Sequence, residues 1–264
     1  MNNIESDFIE FIKNAVDNIT SKNTSVIYSC VTNNYDKELI INNKLDGVDY
    51  IVFKDVKSEL VVPDFVNIIE FDFFFKNPRF TNRVFKILPH LFLKKYNRSL
   101  YVDANVQVLD LKNFLKNDDS NFDFILFNHD KRNCLYKEAD ECIFWGKDDP
   151  KKIHTQKDFY KSQGVNKNSG LYMGRVLLRN HNNLKEFSEL WWDHLNKFSG
   201  RDQISLAFLI NTVDVKFKSI LKNNFNNYFK VIQHQKEIHY SYNGFLINLK
   251  RNLLMFLVKI KNLI

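Results

Sequence analysis

The chain has 264 residues, of which 44% are hydrophobic and 15% aromatic, which is enough apolar material for one sizeable α/β domain. Its net charge of +7 favours anionic partners such as a nucleotide or a phospholipid surface, but no Lys/Arg run suits nucleic acid, so we expect no nucleic-acid partner. Three cysteines without CxxC spacing, an N-terminus too acidic for a signal peptide and no apolar run of 18 residues predict a cytoplasmic protein without a zinc site.

The first third of the chain alternates between helical and strand patterns. Apolar residues recur at helical spacing over 4–19, and short apolar runs predict buried strands at 25–32, 48–53 and 68–71. A base and a ribose often lie against the ends of two such strands. Tyr35 is therefore a candidate to stack on a base and Asp55 to bind a ribose hydroxyl. Both are equally well interpreted as ordinary loop residues.

A cationic helix is predicted over 77–90, where Pro78 suits a helix start. Arg79, Arg83 and Lys86 are three to four residues apart, so they lie on one face of that helix. Guanidinium and ammonium groups in such a row are suited to holding the phosphates of a donor. A solvated basic face is the alternative interpretation.

An acidic turn follows the next predicted strand, at 98–103. Asp103 and Asn105 are two residues apart at the carboxyl end of that strand, where open α/β sheets place their ligands. Two oxygen donors at this spacing can share one hard cation, and the cation can hold a diphosphate. An Asx turn after an ordinary strand is the alternative.

Strands and helices continue to alternate to the end of the domain. Strands are predicted at 122–129 and 171–179, with a loop at 164–170, and a helix at 184–198 carries a Trp pair that fits the core better than a sugar platform. Asp202 begins another helix, where capping alone could explain a carboxylate. A last strand at 228–234 ends in His234, and His239 follows; late histidines such as these are usually surface residues.

The whole pattern predicts one α/β domain over residues 1–243 with a mostly parallel central sheet. Residues 244–264 form a separate pattern, in which an apolar helical stripe faces four cations and no acidic residue occurs. A basic amphipathic helix of this kind can lie in an anionic membrane interface. Docking on the domain or on a second subunit is an equally good interpretation.

Six motifs in order carry a resemblance to a known family. They are Lys-Ile-Leu-Pro-His at 86–90, Ser-Leu-Tyr-Val-Asp-Ala-Asn at 99–105, the segment 129–139, Asn-Ser-Gly-Leu-Tyr at 168–172, Trp-Trp at 191–192 and Arg-Asp-Gln at 201–203. Together they resemble the glycosyltransferase-like domain shared by plant mucilage-related proteins and bacterial polysaccharide enzymes, including O-antigen galactofuranosyltransferases. The resemblance extends from about residue 26 to about residue 234.

The resemblance implies a GT-A-like, Rossmann-like fold, a nucleotide-sugar donor and a divalent metal, Mn²⁺ or Mg²⁺. The aspartate-x-aspartate of many such enzymes corresponds to Asp103-Ala-Asn105 here, in which an amide replaces the second carboxylate. His234 fits the late metal histidine of the family better than His239, although either position is open. The donor is expected to be UDP-linked, with UDP-galactofuranose as one candidate.

Residues on the acceptor side are likewise implied by the resemblance alone. They are His129, Arg132, Glu138, Asn168, Gly170 and Trp192. Asp202 is the candidate general base of an inverting transfer, and Gln203 is the residue near the sugar in a retaining one. The acceptor implied is a surface polysaccharide or a lipid-linked glycan at the inner face of the cytoplasmic membrane.

Two other classes of function remain open at this point. A metal-dependent hydrolase would use Asp103, His129 and Glu138 on one cation, with water as the acceptor. A non-catalytic module would bind a sugar or a nucleotide without turnover, and the amide at Asn105 favours it.

Overall fold

The structure, a computed structural model, describes residues 6–232. A seven-stranded sheet runs through the molecule in the order β3-β2-β1-β4-β7-β6-β8, and a two-stranded antiparallel sheet pairs β5 with β9. The strands are β1 Ser25–Val31, β2 Val48–Asp55, β3 Asn67–Phe71, β4 Arg98–Val102, β5 Val106–Val108, β6 Phe124–Asn128, β7 Tyr172–Arg179, β8 Phe217–Ile220 and β9 Phe229–Val231.

The large sheet is parallel except at one strand. β7 pairs antiparallel with both β4 and β6, whereas β1, β2, β3 and β4 pair in parallel, as do β6 and β8. The first residues of β7 therefore lie at the same edge of the sheet as the last residues of its neighbours. This reversal brings the loop before β7 to the carboxyl ends of the parallel strands.

Eight α-helices are present in the described part of the chain. They are α1 Ser6–Asp17, α2 Pro78–Ile87, α3 Leu111–Leu115, α4 Leu135–Phe144, α5 Pro150–Ser162, α6 Lys185–Lys197, α7 Asp202–Thr212 and α8 Phe225–Tyr228. The start of α2 is fixed by its sequence, because the Asn77 side chain accepts from the Phe80 amide and Pro78 occupies the first turn.

Both faces of the sheet are covered by apolar side chains. Tyr28, Phe53 and Tyr101 point into one core with α1, α2 and α6, while their strand neighbours, such as Val52 and Val102, point into a second core. Alternate residues of a strand face opposite sides of its sheet, so burial on both faces requires the nearly continuous apolar runs that the sequence shows.

The predicted α/β class with a mostly parallel sheet is confirmed. All of the strands predicted from the sequence are present, with ends that shift by up to three residues. The sequence prediction lacks α3, α5, α8 and β8. β8 was missed because Phe217–Ile220 is short and carries a lysine in place of a continuous apolar run.

The predicted helix at 244–264 lies outside residues 6–232, as do His234 and His239. Within the residues described, none of the helices combines the length and the apolar character needed to cross a bilayer.

Candidate active site

The acidic turn lies at the carboxyl end of β4, in the middle of the large sheet. The Asp103 amide donates to the Arg175 carbonyl of β7 at 2.8 Å, and the Val106 amide returns to the Asp103 carbonyl at 2.9 Å. These two bonds fix a tight turn between β4 and β5. The Asp103 side chain remains 26% exposed, so it is open to a ligand.

Tyr101 orients the Asp103 carboxylate. The two residues are two apart at the end of β4, so their side chains are on the same side, and the Tyr101 hydroxyl donates to Asp103 Oδ1 at 2.8 Å. Burial, and then the adjacent Asp103 carboxylate, raise the pKa of Tyr101 well above its usual value. Tyr101 is thus a neutral donor that holds one carboxylate oxygen and leaves the other available.

Two cations of α2 converge on the site from the side. Lys86 Nζ lies 2.7 Å from Asp202 Oδ2 and 3.8 Å from Asp103 Oδ1, and Arg83 Nε lies 3.3 Å from Asp202 Oδ2. Lys86 and Asp202 are almost completely buried. The ammonium group therefore bridges two carboxylates at the ends of different elements, one after β4 and one at the start of α7.

The surroundings of Asp202 do not suit a general base. Burial by itself would raise the pKa of this carboxyl, but Arg83 and Lys86 outweigh burial and hold the pKa far below its ordinary value. A carboxylate stabilised in this way is a poor proton acceptor. These contacts favour Asp202 as the counter-charge that positions Lys86 and Arg83 over the general-base role predicted from the sequence.

Arg79, the third predicted phosphate ligand, is turned toward a different partner. Its Nη2 lies 3.0 Å from Asp148 Oδ2, and the same oxygen accepts the Gly200 amide at 2.8 Å. Asp148 thereby joins α2 to the loop before α7. The three predicted cations do share one face of α2, but only Arg83 and Lys86 face the acidic turn.

Two glycines allow these charged side chains to pack closely. A Cβ at Gly174 would meet Lys86 Nζ at 2.9 Å, and a Cβ at Gly200 would meet Arg79 Nη2 at 2.6 Å. Neither glycine has a left-handed backbone conformation, so space rather than backbone freedom requires glycine at these two positions.

The side chains of the acidic turn are of the type that holds a divalent cation, because they carry oxygen atoms. The Asn105 amide nitrogen donates to the Ile232 carbonyl at 3.0 Å, so its amide oxygen is the atom that would contact a metal. Asp103 and Asn105 would supply two of the oxygen ligands that Mn²⁺ or Mg²⁺ prefers, and the predicted histidine ligands lie outside the described residues. Across residues 6–232, no three His, Cys, Asp or Glu side chains are grouped to hold a metal.

Of the two residues predicted to contact a nucleoside, Asp55 has other partners in the structure. The Asp55 carboxylate is buried and accepts from the amides of Asn33 and Lys57 and from the Ser58 hydroxyl. It therefore fixes the loops after β1 and β2 and is not presented to a ribose. Tyr35 lies on the loop after β1 and is partly exposed.

The predicted acceptor residues after β6 are engaged with one another. Arg132 contacts Glu138 Oε2 through Nη2 at 2.7 Å and Nε at 2.8 Å, and Glu138 is buried. His129 Nδ1 accepts from the amides of Lys131 and Arg132, and burial lowers the His129 pKa. Because Glu138 is neutralised by Arg132, the metal group of Asp103, His129 and Glu138 that a hydrolase would need is not assembled.

The remaining predicted residues fall into two groups. Asn168 and Gly170 lie on the loop before β7, where the Gly170 amide donates to the Asn133 carbonyl, and Gln203 donates to the Tyr172 carbonyl at 3.2 Å. These three lie at the sheet edge that carries Asp103. Trp192 is different, because it is 2% exposed and packs against Phe75. The prediction that Trp192 contacts an acceptor is corrected to a core position.

Three residues of the site were not predicted from the sequence, namely Tyr101, Asp148 and Gly174. Tyr101 had a usable signal, because residues two apart on a strand share a face. The other two had none in the local pattern. Their contacts join segments that are distant in sequence, as Asp148 does with Arg79 and Gly200.

Comparison with known proteins identifies a family for this chain. A family model described as the TOD1/MUCI70 glycosyltransferase-like domain matches residues 12–239. The chain is 30% identical over 156 residues to the probable hexosyltransferase MUCI70 of Arabidopsis thaliana, a match that covers 54% of this chain and 26% of that protein. The chain thus spans about a quarter of the length of this curated relative.

Similar solved structures are also glycosyltransferases. The galactosyltransferase LgtC, solved with donor and acceptor sugar analogues, has a TM-score of 0.45 and 12% identity, over 76% of this chain and 77% of that one. The bifunctional enzyme WbbM has a TM-score of 0.44 and 11% identity, over 77% of this chain and 40% of that one.

The sheet and the charged strand end define an α/β protein with a candidate ligand site at the carboxyl edge of a mostly parallel sheet. The chain belongs to the TOD1/MUCI70 glycosyltransferase-like domain family.

Proposed function

We propose that this chain transfers a hexose from a UDP-linked donor to a glycan acceptor. The proposal is carried by one contact. The buried Lys86 ammonium lies 3.8 Å from the carboxylate of Asp103, whose side chain is partly exposed. An acidic group that recruits a cation, beside a fixed positive charge, suits the departure of a diphosphate, whose negative charge grows as the glycosidic bond breaks.

Each residue has a part in this proposal. Asp103 and Asn105 would hold a divalent cation, which when bound supplies charge for the leaving diphosphate. Lys86 and Arg83 add fixed positive charge at the same place, and Asp202 holds both side chains beside the acidic turn. The loop with Asn168 and Gly170, together with Gln203, borders the side on which an acceptor would approach.

The test is nucleotide release from UDP-sugars by the purified chain with Mn²⁺, and by the Asp103→Ala variant. We expect release by the natural chain and a loss of at least about 100-fold in the variant, because electrostatic stabilisation of a leaving group by one site is typically worth that much. Unchanged release in Asp103→Ala, with an intact fold, would exclude this centre. UDP binding without any release would favour the non-catalytic module.

We also propose that residues 244–264 hold the protein at a membrane surface where lipid-linked acceptors occur. The support is the sequence pattern alone, with an apolar stripe from Phe245 to Leu263 and four cations between them. Each such cation contributes roughly 1 kcal/mol against an anionic surface, and salt screens it.

Truncation after Asn243 tests this proposal, with sedimentation on vesicles containing anionic lipid and the melting temperature as the two measurements. The proposal expects loss of sedimentation with an unchanged melting temperature. A large fall in melting temperature, with no vesicle binding by the full chain, would instead show that the segment is docked on a protein surface.

A further inference from the structure

The cations around the site are not all neutralised by protein carboxylates. Arg79 pairs with Asp148, and Arg83 and Lys86 pair with Asp202. Arg201 lies in the loop before α7, between Gly200 and Asp202. No carboxylate of residues 6–232 forms an ion pair with it.

Arg201 also has an unused donor inside the protein. Within residues 6–232, its Nε is buried and has no hydrogen-bond partner. A buried donor without a partner costs about 1–3 kcal/mol, and more for a charged group. A guanidinium placed in this way is a site that a ligand oxyanion would complete.

The backbone around Arg201 is held on both sides. Before it, the Ser199 hydroxyl donates to Gln156 Oε1 at 2.5 Å and the Gly200 amide donates to Asp148 Oδ2 at 2.8 Å. After it, the Trp191 indole donates to the Asp202 carbonyl at 3.0 Å. Arg201 is therefore presented from a fixed segment, so little ordering is needed when a ligand binds.

Arg201 lies among like charges and near one carboxylate that other cations already contact. The pKa of Arg79 is lowered by burial and also by the nearby guanidinium groups of Arg201 and Arg83, against the opposing effect of Asp148. Burial by itself would raise the pKa of Asp202, and Arg201 opposes burial together with Arg83 and Lys86, the two cations that contact this carboxylate. Three guanidinium groups and one ammonium group thus lie around three carboxylates, those of Asp103, Asp148 and Asp202, which leaves one positive charge in excess among these seven groups.

We propose that Arg201 binds an oxyanion of the substrate, a phosphate or a carboxylate, through its planar guanidinium. The proposal rests on the proposed function, since it assumes that the ligand bound beside Asp103 is a glycosyl donor or acceptor. Arg79 then acts as a tether from α2 to Asp148, and Arg201 takes the ligand-binding place that the sequence suggested for Arg79. An arginine suits this role because its planar guanidinium can donate two parallel hydrogen bonds to one oxyanion, which a lysine cannot do.

The oxyanion has two possible sources, the donor diphosphate or an acidic group on the acceptor glycan. The test compares the natural chain with Arg201→Gln by calorimetric titration with UDP plus Mn²⁺ and with inorganic pyrophosphate. Transfer is also measured to an oligosaccharide that contains uronic acid and to the same oligosaccharide after reduction of its carboxyl groups.

The matched control is Arg98→Gln. Arg98 begins β4 at the opposite edge of the sheet and pairs with Asp118. This variant therefore removes the same charge far from Asp103 and Arg201. We expect unchanged ligand affinities in Arg98→Gln. Arg201→Lys keeps the charge without the planar fork, and it replaces Arg201→Gln if the latter fails to fold.

If the donor supplies the oxyanion, affinity for UDP and pyrophosphate falls about tenfold in Arg201→Gln, as expected for one charge-assisted contact. If the acceptor supplies it, UDP affinity is retained and the preference for the acidic oligosaccharide over its reduced form is lost. Unchanged values in all of these measurements, in a folded variant, overturn the proposal.

Failure of the proposed function gives a different result. In that case the natural chain releases no nucleotide and Asp103→Ala behaves like it, whereas loss of pyrophosphate binding in Arg201→Gln still identifies an oxyanion site.

Discussion

At the scale of single residues, the site depends on one buried charge group. Asp202 Oδ2 lies 2.7 Å from Lys86 Nζ and 3.3 Å from Arg83 Nε, with both cations largely shielded from water. Removing one member of such a group leaves the others charged and unpaired, and the cost of that exceeds the value of the lost contact itself.

Asp202→Asn should therefore lower the free energy of unfolding by about 3–5 kcal/mol at neutral pH. Lys86→Met in the same chain should restore part of the loss, because it removes the unpaired charge. Denaturant unfolding of the two single variants and the double variant measures this coupling. Additive losses would mean that Lys86 and Asp202 do not interact.

The same group gives a pH dependence with a definite sign. The pKa of Asp202 is lower in the folded chain than its ordinary value of 3.8, so the unfolded state binds more protons as the pH falls. The stabilisation is present above about pH 4 and is lost as the pH falls toward the folded-state pKa. The free energy of unfolding of the natural chain, measured by denaturant at a series of pH values, should fall as the pH drops below about 4. Asp202→Asn should lack this part of the pH dependence.

Tyr101 offers a second test at the residue scale. Tyr101→Phe removes the hydroxyl that donates to Asp103 Oδ1, and Mn²⁺-dependent UDP binding should weaken by about tenfold, as for one bond to a charged group. Tyr96→Phe is the matched control, because the Tyr96 hydroxyl donates to the Asp49 carboxylate at 2.7 Å, away from the site. Equal effects of the two variants on UDP binding would exclude a positioning role for Tyr101.

At the scale of elements, both ends of α2 place cations at or near the site. Its C-terminal half directs Lys86 toward Asp103, and its N-terminal turn carries Arg79 to Asp148. Thr32 Oγ1 donates to the Pro78 carbonyl at 3.0 Å, and the Asn82 amide donates to the Cys30 carbonyl at 2.7 Å, which fixes α2 against the end of β1. The helix is thus a rigid support for cations.

Gly174→Ala tests how closely β7 must approach α2. The new methyl would lie 2.9 Å from Lys86 Nζ, so the flexible end of the lysine would move away from Asp103 and Asp202. We expect a several-fold loss of UDP affinity with a fall of less than about 2 kcal/mol in stability, within the range typical of overpacking. Titration and denaturant unfolding measure the two quantities.

Gly200→Ala is the counterpart of this variant at the other end of α2. Its methyl would lie 2.6 Å from Arg79 Nη2 and 3.2 Å from Asp148 Oδ2, so it disturbs the tether and not Lys86. Stability should fall by more than UDP affinity does. The reverse ranking of the two glycine variants would contradict the assignment of Arg79 as a tether.

At the scale of the whole molecule, the antiparallel strand β7 assembles the site. It pairs with β4 through Val102 and Val176, and its first residues bring the loop with Asn168 and Gly170 to the edge where Asp103 lies. α7 follows from the next connection and carries Asp202 to the same place. Segments from four parts of the chain thus meet at one edge of one sheet.

A ligand that bridges these segments should stabilise the whole domain. UDP with Mn²⁺ at about 100 times its dissociation constant should add about 2.7 kcal/mol, which corresponds to roughly 5–10 °C in melting temperature for a domain of this size. EDTA should remove the increase, and GDP should produce a smaller one. A shift that persists in EDTA would contradict the metal site at Asp103 and Asn105.

Local sequence patterns predicted most of the strands and helices, the burial of the sheet on both faces and the place of the acidic turn. These follow from apolar runs, helical spacing, and a polar pair directly after a strand. Arg83 and Lys86 lie beside Asp103 at a position that strand ends and helix faces, both set by periodicity, made predictable.

The contacts of each charged group depend on how distant segments pack together. A carboxylate at a helix start has the same local sequence whether it caps a helix, accepts a proton or neutralises a lysine, and Asp202 does the last because α2 packs beside it. Asp55 and Trp192 are buried by segments distant in sequence, and Arg79 is drawn from the site by Asp148. The pKa, the exposure and the ion-pair partner of a side chain depend on residues that are distant in sequence and close in space. A local sequence pattern carries no information about those residues.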